Sequence, residues 1–259
     1  MQGVQVDLEV LYVQKIYFFM FLSTLTLFGF VFALWRFGLR IGLLTLASGL
    51  VTSYFAMVKK KAFAPPEKKI TARRMAHTIS QDTSPLSLSR FASQLYYYFH
   101  EPTQAISLLE KFLPCHDPLL CTTLCDILLK EGKAKRALYI IRDNPHSQID
   151  PLMLATQGIV LQKIGKVPEA IKMLERSLCS AKRNGFPDNG AHWFTKKLLI
   201  FGYTASIHHA LADCYMIMED ASKAKRHYWA GNLLLFDVSL WRYYQPEPID
   251  SARNYNNSL

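Results

Sequence analysis

The chain has 259 residues, half of them hydrophobic, and a formal net charge of +10. Its five cysteines, an odd number with no CxxC pair, exclude a disulfide framework and a zinc ribbon. Seven basic side chains and one acidic side chain fall between Lys59 and Arg74, whereas a nucleic-acid-binding domain spreads its basic residues over a folded face, so no nucleic-acid partner is expected.

Residues 1–15 form a short tail without the basic start of a secretory signal. Ile16 to Trp35 is a run of twenty residues with no charge. As an α-helix it spans about 30 Å, the thickness of a bilayer's hydrocarbon core. Arg36-Phe37-Gly38-Leu39-Arg40 supplies a turn, and Ile41 to Val58 is a second uncharged run. Gly42, Ser48 and Gly49 let two such helices approach closely. The two runs, 16–35 and 41–58, predict a transmembrane helical hairpin; a single span with the second run lying in the interface is the alternative.

Residues 59–85 then read as a basic juxtamembrane linker. Lysine and arginine clustered beside a span mark the cytoplasmic side. Arg36 and Arg40 oppose that orientation but are outnumbered by the seven basic residues from Lys59 to Arg74. The reading is an integral membrane protein with its folded domain on the cytoplasmic side. Membrane lipid is the expected partner of the hairpin and of Lys59–Arg74, through anionic head groups.

From Leu86 onward, helical hairpin patterns recur. Asp150 to Leu178 holds two helical stretches joined at Ile164-Gly165-Lys166-Val167, with Pro168 suited to the first turn of the second. Small residues, Gly158 and Ala170, stand where antiparallel helices come together, and Leu154, Leu161, Ile171 and Leu174 give apolar faces. Counted from Pro151, these positions resemble a tetratricopeptide repeat, a helix–turn–helix unit of about 34 residues. The departures are Leu154 for the family's tryptophan, Leu161 for its tyrosine and the lack of a closing proline. Cys121, Leu124, Cys125, Leu128, Gly132 and Ala137 follow the same register from Pro118. Leu86 to Leu113 fits more loosely through Tyr96 and Ala105, and Leu211, Ala212, Tyr215, Ala224 and Tyr228 mark a fourth unit from about Ala205. The fold class expected is therefore all-α: an α-solenoid of tetratricopeptide-like helix–turn–helix repeats over residues 86–240, preceded by the membrane hairpin. Residues 179–204 lengthen the interval before the last unit, as longer helices and loop or as a functional insertion. Residues 241–259 are read as a C-terminal tail, in which Trp241 caps the last unit and Pro246 to Leu259 is expected to be disordered.

The resemblance implies a concave surface built by the first helices, open to a protein or peptide partner. The positions that point there in the family are occupied by Arg90, Gln94 and Tyr97, by Asp126 and Lys130, by Ile159 and Gln162, and by His209 and Asp213. The set of lysines, arginines and asparagines by which some family members grip a peptide carboxylate is not reproduced, so that specificity is not implied. Catalytic constellations are missing. Cys121 and Cys125 share a helix face but lack zinc partners, and His208-His209 lacks the spacing of a zinc-protease helix. No phosphate loop or GxSxG stands in the sequence. No cofactor or metal is expected. The work expected is non-catalytic, a membrane-anchored scaffold or assembly factor for proteins. A membrane-associated processing enzyme is the rival reading, and a nucleic-acid-binding helical repeat protein a more distant one.

Overall fold

The structure is a computed structural model that describes residues 14–59, 84–97, 99–114, 116–186 and 193–245. The N-terminal tail, most of the basic linker, Tyr98, Cys115, the loop 187–192 and the tail 246–259 lie outside the described residues. Within them are ten α-helices, one short 3-10 turn and no strand.

Two long apolar helices come first, α1 (Gln14–Phe37) and α2 (Leu39–Lys59). The turn between them shrinks to Gly38, whose φ of +88° is open to glycine at no steric cost. The helices run antiparallel in close contact. A Cβ on Gly42 would come within 3.4 Å of the Leu34 backbone, so the glycine permits the approach. Thr24, Thr26, Thr45 and Thr52 each return their hydroxyl to a carbonyl one turn back, which satisfies these donors inside an apolar helix. Ile16–Phe37 and Leu39–Ala56 are both long and apolar enough to cross a membrane, and only 11% of each is buried. Phe21, Phe28, Phe32, Trp35 and Leu44 point outward. A core helix of a water-soluble protein would bury these side chains.

Eight helices follow as four antiparallel pairs: α3 (Pro85–Tyr97) with α4 (Pro102–Glu110), α5 (Pro118–Lys130) with α6 (Ala134–Asp143), α7 (Pro151–Lys163) with α8 (Val167–Asn184), and α9 (Trp193–Ile217) with α10 (Ala221–Leu233). Each first helix also packs on the first helix of the next pair, and each second helix on the first helix that follows it.

The pairs share local chemistry. Pro85, Pro118 and Pro151 open their helices 33 residues apart, at a position where the missing N–H costs nothing. The residue before each proline caps the helix. Asp117 accepts from Leu119 and Leu120 N–H, Asp150 from Leu152 and Met153 N–H, and Ser84 from Ser87 N–H. Every pair then turns through one residue of positive φ: His100, Gly132, Gly165 and Glu219. Five residues beyond each lies an alanine with no exposed surface, namely Ala105, Ala137, Ala170 and Ala224. The last three turns close with the same bond from the residue after the positive-φ position back to a carbonyl five residues earlier: Lys133 to Leu128, Lys166 to Leu161, Asp220 to Tyr215. The first turn carries one extra residue, so Glu101 reaches back six, to Leu95.

On the first helices, Ala92, Cys125, Gly158 and Ala212 occupy one matching buried position. They keep the two helices of each pair close. At Gly158 the space is already filled, since a Cβ would meet Leu174 Cγ at 2.6 Å. Cys121, Cys125 and Cys214 are buried in packing positions, and Cys179 is exposed. Helix α7 is buried almost all round and divides two hydrophobic clusters. Met153 and Val160 join the first two pairs, while Leu152, Ala155 and Leu161 join the last two.

The fourth pair departs from the expected start near Ala205, because α9 begins at Trp193. Its added N-terminal turns carry Thr195 and Phe194 to the first turn of α1. Ile16 is buried in the same cluster as Tyr203 and Leu235. After α10 the chain folds back. Asp237 accepts from Ser239 N–H, Trp241 Nε1 donates to the Leu235 carbonyl, and Asn232 pairs with the backbone of Arg242 through both of its side-chain polar atoms. Residues 241–245 are thus placed against the last pair.

Candidate functional site

The first helices of all four pairs border one cavity of about 490 Å³. Its lining is Tyr96 and Tyr97 from α3, Asp126, Leu129 and Lys130 from α5, Ile159 and Lys163 from α7, Ser206, His209 and Ala210 from α9, and Arg242 from the returning segment.

The repeating register puts the same helix position into it more than once. Tyr97, Lys130 and Lys163 stand at successive intervals of 33 residues, and Asp126 and Ile159 share another position. Tyr97 Oη donates to Asp126 Oδ2 at 2.9 Å, and Lys130 Nζ donates to Tyr97 Oη. Lys130 Nζ also lies 3.7 Å from Asp126 Oδ2 and 3.9 Å from the Tyr97 ring centre. One ammonium therefore meets a carboxylate, a hydroxyl and an aromatic face, tying the first pair to the second. Tyr96 Oη donates to Glu131 at 3.0 Å. Burial, and then Glu131, push the Tyr96 phenol up to about 12, so it stays a neutral donor.

Opposite lies His209, buried, with Nε2 3.0 Å from Asn232 Oδ1. Burial lowers its pKa to about 4, and the nearby charge of Arg242 adds to this. It is a neutral imidazole near pH 7. Asp213 accepts from Tyr228 Oη at 2.6 Å and faces Arg242 Nη1 at 3.4 Å. Burial raises its pKa against the pull of those two partners. Asp213 thereby holds the guanidinium at the cavity's edge.

Of the residues expected on the inner face, Tyr97, Asp126, Lys130, Ile159 and His209 line this cavity; Arg90, Gln94, Gln162 and Asp213 do not. Counting from Pro85, the first-pair equivalents of Asp126 and Lys130 are Ser93 and Tyr97, so Arg90 and Gln94 are rotated off the lining. Gln162 sits one residue from the lining Lys163, with its Oε1 buried and without a hydrogen-bond partner. Asp213 acts one step back, through Arg242. Lys163 was signalled by its interval from Lys130. Tyr96, Leu129, Ser206 and Ala210 neighbour named positions on the same helices. Arg242 carries no signal, because it stands outside the repeating register.

The cavity combines three cationic groups, two tyrosine hydroxyls and apolar wall. Its one imidazole is engaged by Asn232, and burial pushes the nearby Cys214 thiol up to about 12. Neither is poised as a nucleophile or base. Among the described residues no group of three or more His, Cys, Asp or Glu side chains comes together to hold a metal ion. No family model matches the chain, and no curated protein matches it.

Proposed function

We propose that this protein is a membrane-anchored scaffold whose four helical pairs form a tetratricopeptide-like α-solenoid that holds a segment of another protein. The observation that carries the reading is a cavity to which all four first helices contribute. Stacked helical pairs make an extended inner surface without needing a reactive centre. The helix-opening prolines of three pairs, and the positive-φ turns and buried alanines of all four, support a repeat origin for the pairs. The two apolar helices supply the anchor, and the basic residues from Lys59 to Arg74 support placing the helical pairs on the cytoplasmic side.

Lys163 is the probe for the groove, since it is exposed and lines the cavity. Affinity capture with detergent-solubilised full-length protein should retain a partner. Lys163→Glu should weaken that binding at least tenfold without moving the melting temperature, because the change reverses charge without uncovering core. A partner held equally by both proteins would remove the cavity from the binding site.

A further inference from the structure

We propose that the last helical pair rests on the lipid head-group layer through Trp193, Lys197 and Phe236, so that the repeat domain stands on the membrane by its C-terminal end. This rests on the membrane reading of α1 and α2.

The argument starts from where the apolar hairpin meets the helical pairs. Both the start of α1 and the end of α2 lie at the fourth pair. Tyr17 Oη is 2.8 Å from Thr195 Oγ1, and the Tyr17 ring is edge-on to Phe194 at 6.1 Å. Phe236 packs on Phe19 at 5.1 Å and on Tyr54 at 5.9 Å, and Phe19 and Tyr54 meet edge-on at 6.3 Å. The hairpin is thus clasped at its two ends by the start of α9 and the turn after α10.

The position of the bilayer follows from the hairpin's own aromatic groups. Tyr17 and Trp35 lie eighteen residues apart on α1. That is about 27 Å of helix, close to the hydrocarbon thickness of about 30 Å. Tyrosine and tryptophan prefer the two interfaces, where an apolar ring meets lipid and a polar atom meets water. One interface therefore passes through Tyr17. Whatever touches Tyr17 sits at that level.

The side chains there suit it. Trp193 packs against Phe194 yet is 62% exposed, and Lys197 Nζ lies 5.4 Å over its ring. Phe236 is 46% exposed although two membrane-helix rings cover part of it. In water these rings would leave apolar surface uncovered on both sides of the clasp. At the interface the rings enter the head-group region, and the lysine keeps its ammonium wet while its stem lies along lipid. The surface is continuous with the hairpin, which is the reason for assigning it to lipid rather than to a protein.

The test places a photoreactive side chain at single exposed positions of the full-length protein in vesicles of phosphatidylcholine and phosphatidylglycerol. Trp35→p-benzoylphenylalanine reports the span, Trp193→p-benzoylphenylalanine the proposed contact, and Tyr139→p-benzoylphenylalanine an exposed site on α6. After irradiation, lipid adducts are scored by mass spectrometry. The expected result is adducts at Trp35 and Trp193 with none above background at Tyr139. The same label at Lys197 repeats the test one turn along α9. Adducts at Trp35 without adducts at Trp193 or Lys197 overturn the docking and leave the span standing. No adduct at Trp35 removes the span and the docking with it. Equal labelling at Tyr139 means contact without a defined face and also overturns the proposal.

Discussion

Replacing Gly158 by alanine tests the close approach of α7 and α8. Helix propensity alone favours alanine, by about 1 kcal/mol in a helix interior. Packing opposes it. The new methyl would stand 2.6 Å from Leu174 Cγ, 2.9 Å from Leu174 Cδ2 and 3.2 Å from the Ala170 carbonyl oxygen. Leu174 has no exposed surface, so it cannot swing into solvent. The atom struck first is the branch point of its side chain, which moves only with the rest of the residue. Overpacking of this kind costs about 1–3 kcal/mol, and two distances below 3.0 Å place it in the upper half of that range. The net expectation is a loss of about 1–2 kcal/mol, a fall of about 5 °C in melting temperature for a domain of this size. Thermal unfolding of the detergent-solubilised protein measures it. A double-mutant cycle gives the mechanism. Leu174→Ala alone should cost about 2–5 kcal/mol, and the pair should cost clearly less than the sum, since each change makes room for the other. A melting temperature raised by Gly158→Ala, or strictly additive losses, would show that the helices do not meet there.

Burial holds His208 and His209 at about 4, below the ordinary histidine value. The unfolded chain therefore takes up protons first as the pH falls, so their contribution is full above about pH 6.5 and is lost progressively down to about pH 4. Urea unfolding across that window should show a smaller acid loss for His209→Gln than for the wild type; equal losses would contradict a buried neutral His209. The orientation is checked by protease added to sealed right-side-out vesicles, which should spare residues 84–245. Digestion of those residues in intact vesicles would place the helical pairs on the other side.

Much of the helical framework is legible because a few residue types do one mechanical job each. Proline after a capping aspartate marks where α5 and α7 begin, and the buried alanines mark where α6 and α8 are pressed against them. The first pair is harder to read for a specific reason. Its positive-φ turn uses His100 in place of glycine and carries one extra residue, which breaks the count between Pro85 and Ala105. A count back from Ala105 across that turn starts the unit at Leu86 instead of Pro85, which is why the sequence reading sets Arg90 and Gln94 where Ser89 and Ser93 stand. The fourth pair also turns without glycine, at Glu219, and its first helix is lengthened, one of the two readings that residues 179–204 leave open. Arg242 is illegible. Its place depends on Asn232 and Asp213, 10 and 29 residues before it, and no periodicity joins the three.

The clasp between Tyr17 and Thr195 joins residues 178 positions apart, and this has a consequence for biosynthesis. The chain is made from its N-terminus, and domains generally fold as they emerge. The apolar hairpin is complete while α9 and α10 are still unsynthesised. Through that interval Ile16 lacks the neighbours that later bury it, and the first turn of α1 lacks its hydroxyl partner on α9. The last helical pair to leave the ribosome is therefore the one that locks the first. A chain stopped after α8 would keep its apolar hairpin and three of the four first helices that line the cavity, but not the lock between them. Loss of the C-terminal pair should thus be felt first at the N-terminus.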